Sequence, residues 1–153
     1  MRRPHALVAP LLLAFAAPAA PAERQVIHGP GEVAGLPFSS AVRVGDLLFL
    51  SGQLGNLPGQ RQLVPGGVGP ETRQTLENIR RLLEHAGSSL ERVVKCTVFL
   101  ADIADYAAMN EVYGTFFRED PPARSTVAGS GLALGARVEI ECIALVGRSP
   151  GGP

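Results

Sequence analysis

Histidine is scarce in this chain, with three in 153 residues. His5 falls in an N-terminal apolar segment, and His28 and His85 stand alone, without the spacing that metal ligands need. The same scarcity leaves no Ser/His/Asp set to assemble. Lysine and arginine together number 14 and are balanced by 14 acidic residues, while aromatics make up 5%. Nowhere do basic residues cluster with interleaved aromatics, so nucleic-acid binding has little electrostatic support. The glycines near Gly66-Gly67 lack the strand–helix context and the lysine of a phosphate-cradling loop. No internal repeat is visible. What remains open is acid–base or electrostatic chemistry that uses no cofactor.

Hydrophobic residues make up 46% and charged residues 18%, the balance of one packed globular domain. The first 22 residues read separately. Arg2 and Arg3 form a positive start, Leu7 to Ala17 an apolar run, and Ala20-Pro21-Ala22 a small-residue cleavage site. The run is short for a membrane span and is broken by Pro10, with Pro18 just after it. The expectation is a secretory signal cleaved after Ala22, a periplasmic or secreted mature protein, and no stable membrane insertion. Cleavage takes two basic residues and no acidic ones, leaving 131 residues with a formal charge of −2. Residues 23–148 then form the domain and residues 149–153 a disordered tail.

Ser39 to Val44 and Leu47 to Gln53 read as two strands joined by Gly45-Asp46, a hairpin signal. Leu54 to Pro70 is a long Gly- and Pro-rich loop. Pro70 to Ala86 carries Leu76, Ile79, Leu82 and Leu83 at helical spacing, with Gly87 as the stop. Arg92 to Leu100 alternates Val94, Cys96, Val98 and Leu100 as a strand. Asp105 is positioned to cap a second helix through Phe117, and Arg124 to Ser130 and Arg137 to Leu145 complete the strands. Two helices can cover one face of such a sheet. The other face carries Lys95, Thr97, Glu139 and Glu141 beside Phe99 and Leu47 or Phe49, as half of an oligomer interface does.

Cys96 and Cys142 share the parity of core-facing neighbours. Two buried reduced thiols are the plain reading; an oxidising compartment also permits a disulfide if the backbones come within bridging distance.

The stretch from Pro122 to Glu141 holds the strongest chemical signal. Arg124 heads a small-residue strand beside Ser125 and Thr126, and a permanently charged guanidinium there needs a partner in the protein or on a ligand. The plain alternative is pairing with Glu139 or Glu141 across neighbouring strands. Pro122-Ala123-Arg124-Ser125-Thr126-Val127, Leu132 and Val138-Glu139-Ile140, with Ser51-Gly52-Gln53, Thr75-Leu76-Glu77-Asn78, Lys95 to Phe99, Met109-Asn110 and Tyr113, resemble the RidA (YjgF) family of reactive-intermediate imine/enamine deaminases. The likeness runs from Pro37 to Gly147.

That resemblance implies an α/β (α+β) chorismate-mutase-like fold, a homotrimer, and ligand clefts between subunits. It implies hydrolysis of 2-imino and 2-enamino acids, such as 2-aminoacrylate, to 2-oxo acids and ammonia without a cofactor. By position, Arg124 would bind the substrate carboxylate and Glu139 would orient or activate the attacking water. Ser51, Gly52, Asn110 and Thr126 would line the cleft. Phe38 stands where many members have tyrosine and Thr126 where many have cysteine, so Phe38 gives the cleft a more apolar wall. For these residues the plain readings are a bulge at Ser51-Gly52, a solvated Asn110 and a core Phe38. A carboxylate-binding module without turnover is the rival function; a nuclease is disfavoured by the charge of −2.

Overall fold

The computed structural model describes residues 23–147; the expected signal segment and tail lie outside them. The strands are β1 (Arg24–Ile27), β2 (Ala41–Val44), β3 (Leu47–Leu50), β4 (Gln53–Leu54), β5 (Val93–Leu100), β6 (Ala123–Ala128) and β7 (Val138–Leu145), and the helices α1 (Val68–His85) and α2 (Tyr106–Phe116). One mixed sheet runs in the order β1-β2-β3-β7-β5-β6, with β4 also paired to β7. All pairings are antiparallel except β5 with β6, which are parallel and joined through α2.

Alternation along β7 sets the layers. Val138, Ile140, Cys142 and Ala144 are buried, whereas Glu139, Glu141, Ile143 and Leu145 point the other way. The buried side meets Leu76, Ile79, Leu82 and Leu83 of α1, joined by Leu48, Val98, Leu100 and Met109 in one core. The opposite side is uncovered in the single chain and leaves Leu47, Phe49, Val127 and Leu145 more than a third exposed. No described helix is long and apolar enough to cross a membrane.

Gly45 takes φ 60° in the expected β2–β3 turn. Helix α1 ends as Gly87 predicts: at φ 77° it lets Ser88 N donate to Leu83 O at 2.8 Å and its own N to Glu84 O at 3.1 Å.

Other boundaries differ from expectation. Helix α1 begins at Val68 rather than Pro70, because a proline in the first turn forfeits no intrahelical bond. The short β1, edge-paired to β2, carries no strong signal of its own. The strand expected from Leu47 to Gln53 breaks at Ser51-Gly52. In β5 the register shifts between Val93 and Lys95, so Val93 is buried and Val94 is 41% exposed, contrary to simple parity. Asp105 makes no side-chain cap to α2; its carboxylate pairs with Arg137 at 2.6 Å, and Asp102 caps the preceding short turn through Ala104 N at 2.9 Å.

Cys96 and Cys142 are directly opposed in the β5–β7 pair and form a disulfide, with Cα atoms 4.1 Å apart. The plain expectation of two reduced thiols is corrected by this register: one shared core-facing position on neighbouring strands brings the side chains into bonding range.

Candidate active site

Strand β6 is the edge of the sheet, and its parallel register sets Arg124 level with Cys96 and Thr126 level with Val98. Both therefore sit on the helix-covered side. There, α2 presents Tyr106, Asn110 and Tyr113 at i, i+4 and i+7, one helical stripe. The Arg124 guanidinium lies 4.6 Å from the Tyr113 ring centre and 5.8 Å from that of Tyr106. Its Nη2 donates to the Tyr106 hydroxyl at 3.4 Å, a long contact.

Among the described residues no carboxylate pairs with Arg124; the ion pairs there are Arg80–Glu77 and Arg137–Asp105, with a His28–Glu32 contact besides. The alternative of an Arg124 pair with Glu139 or Glu141 is thus corrected. Strand β5 lies between β6 and β7, and both glutamates face the other side of the sheet. On that stripe and on β6 beside Arg124, Asn110 Oδ1, Tyr113 OH and Thr126 Oγ1 are buried and have no hydrogen-bond partner among the described residues. Asn110 is therefore not the solvated helix residue of the plain reading. The Asn110 side chain, and then Arg124, hold the exposed Tyr106 hydroxyl below the ordinary tyrosine pKa. Burial pushes Tyr113 up to about 12, against the pull of the Arg124 charge. A cation cradled by aromatic faces, beside idle polar atoms, can receive a small anion.

The second group gathers around Glu139. Its carboxyl pKa is raised, first by burial and then by the neighbouring Glu141 charge. It rests against Gly52: a methyl group built there would stand 1.9 Å from Glu139 Oε1. Leu54 is the direct β4 partner of Glu139. Ser51 ties the preceding strip in place, its N donating to Ser40 O at 3.0 Å and its Oγ to Ser39 O at 2.7 Å. Phe38, at the head of that strip, is 57% exposed rather than in the core. Phe38, Gly52 and Leu54 line a cavity of about 290 Å³. From beneath, Asn78 of α1 donates to Leu54 O and Asn56 O, each at 2.9 Å, fixing β4 to the helix.

The expected site residues thus fall into two constellations. Phe38, Ser51, Gly52 and Glu139 form one, and Asn110, Arg124 and Thr126 the other. One copy of the chain does not bring them together. Tyr106 and Asn78 belong to the sites without having been singled out as such. The Tyr106-Asn110-Tyr113 spacing carries the signal for the first, though it also reads as a packing stripe. The described residues hold no cluster of three or more potential metal ligands of the His/Cys/Asp/Glu type.

An unpaired, aromatic-cradled arginine and a half-buried carboxylate, set on opposite faces of a sheet whose two helices lie on one side, define an enzyme-like small-molecule protein. The chain belongs to the endoribonuclease L-PSP family, whose model matches residues 32–146 and which includes the RidA and YjgF proteins. A 2-iminobutanoate/2-iminopropanoate deaminase of Capra hircus is 49% identical over 111 residues, covering 72% of this chain and 81% of that protein. The crystal structure of a yeast protein superposes with a TM-score of 0.78 at 39% identity, over 82% of this chain and 100% of that one. The E. coli protein TdcF, crystallised with bound serine, gives a TM-score of 0.74 at 32% identity, over 80% of this chain and 99% of that one.

Proposed function

We propose that this protein hydrolyses 2-imino and 2-enamino acids, such as 2-aminoacrylate, to 2-oxo acids and ammonia, in clefts between the subunits of a homotrimer and without a cofactor. The observation that carries the reading is the placement of Arg124 and Glu139. Neither has an ion-pair partner among the described residues, and they lie on opposite faces of one sheet, so a site using both draws them from two copies. The deaminase name of the goat relative and the serine bound to the E. coli relative support a small amino-acid-like carboxylate as ligand.

In this reading Arg124, with Asn110 and Thr126 beside it, holds the carboxylate through two parallel hydrogen bonds. An enamino acid first takes a proton from water on C3 to become the protonated imine. Glu139 favours the protonated imine and removes a proton from a water as its oxygen bonds to C2. That proton passes to the nitrogen of the resulting carbinolamine. The carbinolamine hydroxyl then gives its proton to Glu139 as the C2–N bond breaks, and Glu139 passes that proton to the departing ammonia, which leaves as ammonium beside the 2-oxo acid. Burial that raises the Glu139 pKa makes it a better base once ionised.

The same proposal places the mature protein outside the cytoplasm, after cleavage following Ala22. The Cys96–Cys142 disulfide supports an oxidising compartment. An L-amino-acid oxidase generating imines in the presence of residues 23–153 tests the activity. Arg124-dependent loss of semicarbazide-trappable imine is the expected result, and a folded protein that accelerates no imine overturns it. The absence of a hydroxyl on Phe38 favours the rival, a carboxylate-binding module. Binding without turnover would identify that case.

A further inference from the structure

We propose that the cavity beside Glu139 receives the substrate side chain and selects 2-imino acids with branched aliphatic or aromatic side chains over 2-iminopropanoate. This rests on the deaminase reading and specifies its substrate class. Leu36, Phe38 and Leu134 are each more than a third exposed, yet all three converge on this one cavity. Apolar surface gathered around a hollow gains free energy when an apolar group fills it. Leu134 holds φ 60° and ψ 10°, a left-handed conformation that glycine usually takes. The flanking Gly131 and Gly135 also have positive φ, so this loop is shaped to set Leu134 at the cavity wall.

The cavity adjoins the reacting position. Gly52, one of its lining residues, touches the Glu139 carboxylate, and Leu54, another, is paired with Glu139 in the sheet. A C2 atom held for attack by water at Glu139 therefore has its substituent at the cavity mouth. At about 290 Å³ the space sits at the small end of ligand cavities, roughly 300–1,000 Å³. That suits a side chain of several carbons and leaves a void around a methyl group.

The polar lining is largely engaged already. Glu32 accepts from Ser40 Oγ at 2.5 Å, Gln53 Nε2 donates to Ser51 O at 3.1 Å, and Asn56 Nδ2 donates to Gln60 O at 2.8 Å. Arg61, exposed and outside the ion pairs among the described residues, is the one feature that would favour an acidic side chain instead.

The test is a calorimetric titration of the assembled protein with 2-oxo acids, the products, which report the pocket whether or not turnover occurs. The expected order is 4-methyl-2-oxopentanoate and phenylpyruvate about tenfold or more tighter than pyruvate, from the added buried carbons. In the Leu36→Ser/Leu134→Asn variant, where asparagine tolerates the left-handed backbone, that ratio should fall below about threefold. Equal affinities, no binding of any of these acids, 2-oxoglutarate binding tightest, or a folded double variant that keeps the ratio would each overturn the proposal. The wild-type ratio decides even if the variant fails to fold. Retained side-chain preference with no imine hydrolysis would count against the deaminase reading alone.

Discussion

Arg124 and Glu139 project from opposite faces of one sheet, with β5 separating their strands. Pairing between them inside one copy is ruled out by that placement. On the proposed shared cleft, co-expression of Arg124→Ala and Glu139→Gln chains should restore activity well above that of either variant by itself. If each cleft takes the arginine from one copy and the glutamate from its neighbour, random mixing leaves about a quarter of clefts intact. Recovery to about a quarter of wild-type rate supports shared clefts; no recovery from verified mixed assemblies refutes them.

On the proposed role, Arg124→Ala would remove two charge-assisted hydrogen bonds to the substrate carboxylate, together about 3 kcal/mol, or roughly 150-fold in kcat/KM. Arg124→Lys keeps the charge but loses the fork and should recover only part of this. Steady-state kinetics on one imine across the three proteins measures it, and near-normal rates in the alanine variant would remove Arg124 from the site.

In the proposed role Glu139 works as a base only when ionised, and its pKa is raised by burial and by Glu141. The acid limb of kcat/KM should thus lie above the ordinary glutamate range. Replacing Glu141 with glutamine removes the secondary cause and should move the limb to lower pH. For stability the sign is opposite to that of a salt-bridged carboxylate. The folded state holds the Glu139 proton more tightly, so stability falls as pH rises from the unfolded pKa through the folded one. Glu139→Gln should be inactive and more stable than wild type at pH 7, with the gain vanishing in acid. Thermal melts against pH check this.

Gly52→Ala sets a methyl group 1.9 Å from the present position of Glu139 Oε1. The carboxylate must swing away, and a shift of about 1 Å at a reacting group costs on the order of 100-fold in rate. A melting temperature near wild type alongside that loss would distinguish displacement of the base from damage to the fold. Unchanged kinetics would show that the Glu139 position is not critical.

The disulfide closes a loop of 46 residues, for which loop entropy gives about 4 kcal/mol of stabilisation. The Cys96→Ala/Cys142→Ala protein should lose about 3 kcal/mol or more in denaturant unfolding. Thiol titration of the denatured, unreduced wild type should find no free thiol. Two titratable thiols would contradict the bond.

Much of this was legible in the residue pattern. The Gly45-Asp46 hairpin, the apolar stripe of α1, the Gly87 stop and the polar parity of Glu139 and Glu141 are local signals, each fixed by a few neighbouring residues. The features that escaped depend on register between distant strands. Val94 turns outward because of a bulge that leaves no mark in an apolar run, and Cys96 meets Cys142 only because β5 lies beside β7. The face occupied by Arg124 follows from its parallel alignment with Cys96, a tertiary fact. Asp105 illustrates a different limit: a good capping residue was drawn to Arg137, a stronger partner arriving from 32 positions away.

The cross-strand bond at Cys96 and Cys142 has a role beyond holding two strands together. Side chains in a sheet alternate with period two, so sliding one strand by a single residue exchanges its faces. A covalent rung at that position forbids the slide of β5 against β7, the strand that carries Glu139. The bond thus acts as a gauge block, setting which face of the sheet the Glu139 carboxylate looks from.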